Sequence, residues 1–485
     1  MPTTHFVNDA GGRFKVPLKS DAGKTIAWLL WGDRVRVIEE RPDTVKVHAR
    51  GQQGWIPSSA LGDQGLLEVY VIDVGQGDGV LMRTPDDLWH LVDAGIANIE
   101  QMTKKGTANF LRWKFLEDLE LKKVALENVI VTHPDYDHYG GLFDLLAGKL
   151  YDGRTFPIEV GSFYHCGIGR FASAPKLGKT VEGIVADLPN DEYDVGTKAK
   201  FITELLDGKG TFASPPRPFE ESFGKLAQLV ATVPKKVRRL SAADEHLPGY
   251  EPGDGDVAIT VLGPIAEEVP GKGAGLRVLG GESITRNGHS VVLRVDYGKA
   301  RLLLTGDLNA ASQCLLLSYH DSREFTVDVA KACHHGSDDF DLRFARAMSA
   351  RATVISSGDN EDYAHPRPIV LGASARYGRE SKGTDGETLP PLIYSTELAR
   401  SVRLDFASAV REKGAESTEI EAQRAEIRAA KKGARYRPLA RTPISTDLIY
   451  GLINVRTDGQ RILCGYMKEK GSDFDILVFR AGVEA

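Results

Sequence analysis

Short apolar runs broken by turn residues dominate the first third of the chain. Runs at 25–30, 34–39 and 44–49 are separated by Gly32-Asp33 and Arg41-Pro42-Asp43, and Gly54-Trp55-Ile56-Pro57 follows. Runs this short, with polar turns between them, predict a small all-β module over about 12–62. From Leu66 the pattern changes. Strands are predicted at 67–72, 80–83 and 89–92, the first two joined by the glycine-rich turn Asp73 to Asp78. Strands joined by short turns open an antiparallel sheet. A helix is expected at 107–119 and a buried strand at 128–132. Residues 170–252 are rich in proline, glycine and charge with weak periodicity, and read as an insertion. Strands resume at 257–262, 290–297, 300–304, 327–332 and 353–356, a charged helix is expected at 408–434, and strands at 449–455, 461–467 and 473–479 close the chain. Strands outnumber helices but helices intervene, so the class is α/β or α+β with a layered sheet core.

Composition narrows this picture only a little. A chain of 485 residues suggests two or three domains at about 150 residues each. Its 51 glycines point to tight turns and sharp strand ends rather than long helices. No apolar run reaches the ~18 residues of a membrane span, and no secretory leader is visible, so a cytoplasmic location is expected. Cys166, Cys314, Cys333 and Cys464 form no CxxC pair, which argues against a zinc ribbon or a disulfide framework. The net charge of −6 offers no global field for nucleic acid.

The chemistry concentrates in His133, Asp135, Asp137 and His138. Two imidazoles and two carboxylates fall within six residues on a loop delivered by an apolar strand, with Gly140-Gly141 following. Mixed nitrogen and oxygen donors suit Zn²⁺ or Mn²⁺. One ion cannot easily take four ligands from so short a loop, so two neighbouring divalent ions are expected.

This segment resembles the HxHxDH signature of the metallo-β-lactamase superfamily, in the HxDxDH form of the ComEC-like β-lactamase-like domain of the DNA-uptake machinery. Asp135 stands at the usual second histidine. Further pieces match in order: DVGQGDGVL at 73–81, LVDAG at 91–95, NGHSVVLRVDYGKARLLLTGD at 287–307, HHGS at 334–337 and YAHP at 363–366. The resemblance covers about 66–400 apart from 170–252. It implies an αββα sandwich over 65–485, with insertions at about 170–252 and 405–445. GDRVRVIEERPDTVKVHARGQQGWIPSSAL at 32–61 is similar to the bacterial SH3-type barrel, which sets an SH3-like domain at 1–64.

The resemblance also implies roles. His133 and Asp135 would bind the first metal, Asp137 and His138 the second, and Asp307 would bridge both. His165 stands where a third ligand motif would lie, although a buried structural histidine fits equally. Of His334 and His335, one would ligate or stabilise the transition state. His365 is a candidate last ligand or proton donor, with Ala364 where the subgroup usually has glycine. Asp93 would brace the ligands, and Asp78 and Gln76 would line the site. His5, His48, His90, His246 and His320 match no motif.

Two such cations about 4 Å apart can lower the pKa of a shared water to about 7. His334, His335 or His365 would then protonate the leaving group, and Asp137 or Asp307 would orient the nucleophile.

Three functions remain open on the sequence. The first is a DNA or RNA nuclease or other phosphodiesterase. The second is a small-molecule hydrolase acting on a lactone, thioester or cyclic nucleotide, because one fold hosts many chemistries. The third is a metal-binding protein that docks a partner through the barrel or the insertions. Arg424, Arg428, Lys431, Lys432 and Arg435 share one helical face, and Lys235, Lys236, Arg238 and Arg239 cluster, and patches of this kind can track phosphates. Glu416, Glu419, Glu421 and Glu426 lie close to the first group, and a solvated salt-bridged helix is the commoner meaning of such a run.

Overall fold

The computed structural model describes residues 4–101, 106–185, 190–193, 195–357, 365–396, 452–467 and 473–482. The charged helix expected at 408–434, with Arg424, Arg428, Lys431, Lys432 and Arg435, lies outside the described residues. So do the 405–445 insertion and Tyr363 and Ala364 of YAHP.

Two mixed sheets carry the main body. The first has nine strands in the order Lys236–Arg239, Ile158–His165, Val124–Val131, Trp89–Val92, Val80–Arg83, Leu67–Val71, Ile453–Thr457, Arg461–Met467 and Phe474–Arg480. Its first four strands run parallel and the rest pair antiparallel. The second has six, in the order Val257–Gly263, Val292–Tyr297, Ala300–Leu304, Val329–Lys331, Ala352–Ile355 and Leu392–Ser395.

Strand alternation explains how the sheets pack. Successive side chains point to opposite faces. Val69 and Val71 therefore join Ile130, Ile259, Val261, Leu293 and Leu302 in one buried core drawn from both sheets. Their neighbours Tyr70 and Ile72 face the other way, onto Leu111, Phe115, Leu142, Leu145 and Leu226 of the covering helices. In the second sheet Val292 and Leu303 likewise turn outward, onto Leu315, Leu316 and Phe344.

Most predicted strands form within a residue or two of expectation. The strand expected at 128–132 starts earlier, at Val124, because buried Val124 and Leu126 alternate with the more open Ala125 and Glu127. The helix at 107–119 forms as Thr107–Arg112 followed by a π-helical Trp113–Asp118. Residues 170–252 are only partly an appendage. Their strand Lys236–Arg239 pairs in parallel with Ile158–His165, and Phe223, Leu226 and Val230 of helix Glu221–Thr232 enter the core. Weak periodicity hid this, since the strand is basic and lies at a sheet edge.

The N-terminal module is a seven-stranded antiparallel sheet over 4–62 around Val16, Leu18, Leu29, Val35, Val47 and Ile56. It has four strands that the apolar pattern misses, among them Lys15–Lys19 and Gln52–Pro57. The first is interrupted by Pro17 and the second is half polar. The module is joined to the nine-stranded sheet by buried charges. Arg456 donates to Asp33 Oδ1 and to Trp31 O, both at 2.7 Å, and Arg83, paired with Glu68 at 2.8 Å within the sheet, donates across to Gly32 O at 3.2 Å. Among the described residues no helix is long and apolar enough to cross a membrane.

Candidate metal centre

The candidate ligands stand beyond the carboxyl ends of strands from both sheets, where open α/β sheets place their ligand crevices. Strand Val124–Val131 leads through Thr132 and His133 into the short helix Tyr136–Tyr139, which carries Asp137 and His138. Strand Ala300–Leu304 leads through Gly306, at φ +53°, to Asp307. A Cβ on Gly306 would lie 2.7 Å from Ser290 Cβ and 3.0 Å from Thr132 Cβ, so glycine lets the two loops touch. Strand Val329–Lys331 leads to His334 and His335, both at positive φ (47° and 53°). Side chains tolerate that region poorly, so the surroundings must hold the pair there.

Three imidazoles are oriented alike. His138 Nδ1 lies 2.8 Å from Asp93 Oδ2, and Asp93 also accepts from the Thr132 amide at 2.8 Å and its hydroxyl at 2.7 Å. His335 Nδ1 lies 3.1 Å from Ser356 O and 3.2 Å from Asp78 Oδ1. His133 Nδ1 lies 3.1 Å from the Thr132 hydroxyl and 3.3 Å from that of Ser290. All three Nε2 atoms are buried and make no hydrogen bond. His138 Nε2 and His335 Nε2 lie 3.3 and 3.1 Å from Asp307 Oδ2, and His335 Nε2 lies 3.7 Å from Asp137. Donor atoms of His133, His138 and Asp307 fall within 4.8 Å of one another, as do those of Asp137, His138 and His335. Outer partners on Nδ1 leave Nε2 as the donor, the usual arrangement around a metal-ligating histidine. These orphaned buried atoms fit divalent ions.

The electrostatics agree. Burial pushes the Asp307 carboxyl up, but His335, His138 and His334 hold it well below its ordinary range. Burial opposes charge on His335, yet Asp307 and Asp78 raise it to about 10. Asp307 thus sits where positive charge is favoured. His133, with burial and His138 acting together, falls to about 3 and stays neutral.

Asp135 is placed differently from the other loop carboxylate. Its Oδ2 lies 3.9 Å from His133 Nε2, while Oδ1 accepts from Arg286 at 2.5 Å and Arg170 at 3.0 Å. Asp135, His165 and His365 belong to none of the candidate metal-ligating groups among the described residues. The His165 ring packs edge-on against Phe212, and its Nδ1 accepts from the Gly167 amide at 3.1 Å. The His365 ring sits 5.7 Å from that of His334, at the margin of the site. His334 Nε2 is 3.6 Å from Asp307 Oδ2. Gln76 lies on the glycine turn, its carbonyl accepting from the Ile96 amide at 3.3 Å.

Lys331, Arg170, Arg286, Thr132 and Ser290 were not anticipated. Lys331 is buried, bonds to Asp78 and donates to Gly306 O at 3.0 Å. A lysine inside the apolar run 327–332 was the available signal. The arginines had none, because Arg170 opens the weakly periodic 170–252 stretch and Arg286 falls just before the 287–307 match.

The profile of the Metallo-beta-lactamase superfamily matches residues 72–208. This stretch is a metallo-beta-lactamase superfamily domain. The chain is also similar to the competence protein ComA of Neisseria gonorrhoeae, 34% identical over 105 residues, and to ComE operon protein 3 of Bacillus subtilis (strain 168), 29% over 102 residues. Each match covers 21% of this chain but only 15% and 13% of those proteins, in keeping with the ComEC-like resemblance. The solved structure of NlpC1 from Trichomonas vaginalis aligns over 19% of this chain and 41% of its own, at 10% identity and a TM-score of 0.12, and carries no weight for the fold. Side-chain groups placed to hold divalent metal lie in this domain, at His133, Asp137 and His138, and beyond it, at Asp307 and His335.

Two substitutions probe the centre from its supports. Gly77 lies at φ +92°, and a Cβ there would fall 1.6 Å from the Asp137 carbonyl oxygen. Gly77→Ala should displace the ligand loop and weaken Zn²⁺ or Mn²⁺ binding by about tenfold or more, read by metal titration. Asp93→Asn removes the anion behind His138 and should weaken metal binding by about 10- to 100-fold, with little change in far-ultraviolet circular dichroism.

Proposed function

We propose that the chain is a metal-dependent phosphodiesterase that cleaves DNA or RNA at a dinuclear Zn²⁺ or Mn²⁺ centre. The observation that carries this reading is the set of three outer-braced imidazoles whose free Nε2 atoms meet Asp307. His133 and Asp135 would hold one ion, Asp137 and His138 the other, with Asp307 between them and His335 beside Asp137. Bound ions of this kind supply an acidified water and offset charge on a phosphoryl oxygen.

The chain's own groups do the rest. Asp137 and Asp307 orient the nucleophile. His334, whose Nε2 is 3.6 Å from Asp307, and His365 stand at the margin, where a leaving alkoxide would take its proton. Asp93 and Asp78 fix the imidazoles rather than touch substrate, with Lys331 behind Asp78.

The same reading takes the two sheets, with their shared core and outer helices, as the αββα sandwich of the superfamily. It takes 1–64 as an SH3-type barrel that can dock a protein partner, and the location as cytoplasmic. Nucleic acid is preferred as substrate because the matched relatives include a competence protein and the motifs follow the DNA-uptake group. The basic cluster at 235–239 adds little, since Lys235 is bound to Glu159, Arg238 to Asp244, and Arg239 lies 3.2 Å from Asp207.

A panel of single-stranded DNA, duplex DNA, RNA, a cyclic dinucleotide and a lactone, each with Mn²⁺ and with Zn²⁺, tests the proposal. Cleavage of a nucleic acid that is abolished by Asp137→Ala is expected. Turnover of the lactone alone would overturn the substrate assignment, and inactivity of metal-loaded protein on every substrate would favour a docking role.

A further inference from the structure

Two arginines from distant parts of the chain meet on one oxygen of Asp135. Arg286, from helix Glu282–Gly288, donates through Nε to Oδ1 at 2.5 Å. Arg170, from the loop after strand Ile158–His165, donates through Nη1 to the same atom at 3.0 Å and to Pro134 O at 3.3 Å. The Asn287 amide, oriented to satisfy both of its ends, donates to Asp135 Oδ2 at 2.9 Å and to Ser283 O at 3.0 Å. Arg170 Nε also donates to Glu220 at 2.7 Å, and Lys176 lies 3.8 Å from Glu220. Three cations (Arg170, Arg286 and Lys176) therefore face two carboxylates, Asp135 and Glu220.

The balance leaves Arg286 as the group with capacity to spare. Its only side-chain hydrogen bond among the described residues is through Nε, so both of its Nη groups lack a protein acceptor. Its side chain is 13% exposed and that of Arg170 is 23% exposed, so both are held in place yet open to solvent. Asp135 Oδ2 in turn lies 3.9 Å from His133 Nε2, which sets the guanidiniums beside the candidate metal centre. A metal ion sharing Asp135 would draw on that carboxylate's charge and increase the local surplus.

We infer that Arg286 and Arg170 form an anion subsite that grips a phosphate of the substrate next to the reacting one. The inference rests on the phosphodiester reading above for the identity of its ligand. A guanidinium presents paired donors that match phosphate oxygens, and bonds to such an anion are charge-assisted. Asp135 then has two tasks, one oxygen facing the metal side and the other fixing the fork. Lys176 extends the positive track away from the centre along the same loop.

Calorimetric titration of metal-loaded protein with inorganic phosphate tests this, with acetate as the control and metal content measured in every sample. Arg286→Ala should bind phosphate about tenfold or more weakly at full metal content. Arg286→Lys should be intermediate, because a point charge lacks the fork. Acetate should bind poorly to all three. If Arg286→Ala is unstable, Arg170→Ala is read in the same way. Unchanged phosphate affinity at full metal content overturns the subsite, as does a loss that disappears when metal is resupplied, since Arg286 would then only position Asp135. Should the substrate panel detect no phosphodiester cleavage while phosphate binding still depends on Arg286, the functional proposal fails and the subsite stands.

Discussion

Asp307→Ala should lower the hydrolytic rate by about 10³-fold or more, several kcal/mol of barrier, while leaving the protein folded. The size follows from position. Asp307 Oδ2 is the atom that His138, His335 and His334 all approach, at 3.3, 3.1 and 3.6 Å. No other carboxylate among the described residues is approached by three imidazoles. Removing it takes away the proposed bridge and the anion that would orient the nucleophile. The fold should survive, because the loop is fixed by main-chain contacts. The Asp307 amide donates to the Ser290 hydroxyl at 2.9 Å, and the His334 amide donates to Gly306 O at 3.1 Å. Initial rates on the best substrate of the panel, with a thermal melt alongside, read both halves. A variant retaining more than about a tenth of the activity would show that Asp307 is not central.

Arg456→Met should cost about 3–5 kcal/mol of stability, because it strands buried carboxylates. Arg456 is 1% exposed, and the Asp33 and Glu68 carboxylates it faces are also buried. Burial raises the Asp33 carboxyl, but Arg456 and then Arg50 hold it well below its ordinary range. Without Arg456, Asp33 keeps Arg50 but loses its closest cation, and Glu68 keeps Arg83 and the Tyr70 hydroxyl. The same guanidinium holds Trp31 O and so ties the N-terminal module to strand Ile453–Thr457. Urea unfolding followed by tryptophan fluorescence measures the loss. A change below about 1 kcal/mol would mean the pair behaves like an exposed ion pair and does not weld the module on.

The sequence was most readable where period and chemistry coincide. Strands such as Val80–Arg83, Trp89–Val92 and Arg461–Met467 follow from apolar runs, and the loop from His133 to His138 follows from donor density. Strand Lys236–Arg239 was hidden because edge position frees it from an apolar pattern. Strand Lys15–Lys19 was hidden because Pro17 resembles a break. Within the site, motif position located Asp307, Asp78 and Asp93 but could not orient side chains. His165 looks like a ligand from its place at a strand end, yet Gly167 and Phe212 claim the ring. Asp135 looks like a plain ligand, yet two arginines claim one of its oxygens. Arg286 and Arg170 lie 116 residues apart and converge only through folding. No spacing rule could have paired them.

Metal content of the purified, extensively dialysed protein tests the central claim most directly. Close to two Zn²⁺ or Mn²⁺ ions per folded chain are predicted, with most of that content lost in Asp307→Ala. Folded wild-type protein that takes up no stoichiometric divalent ion, or a variant that keeps its full complement, would contradict the account.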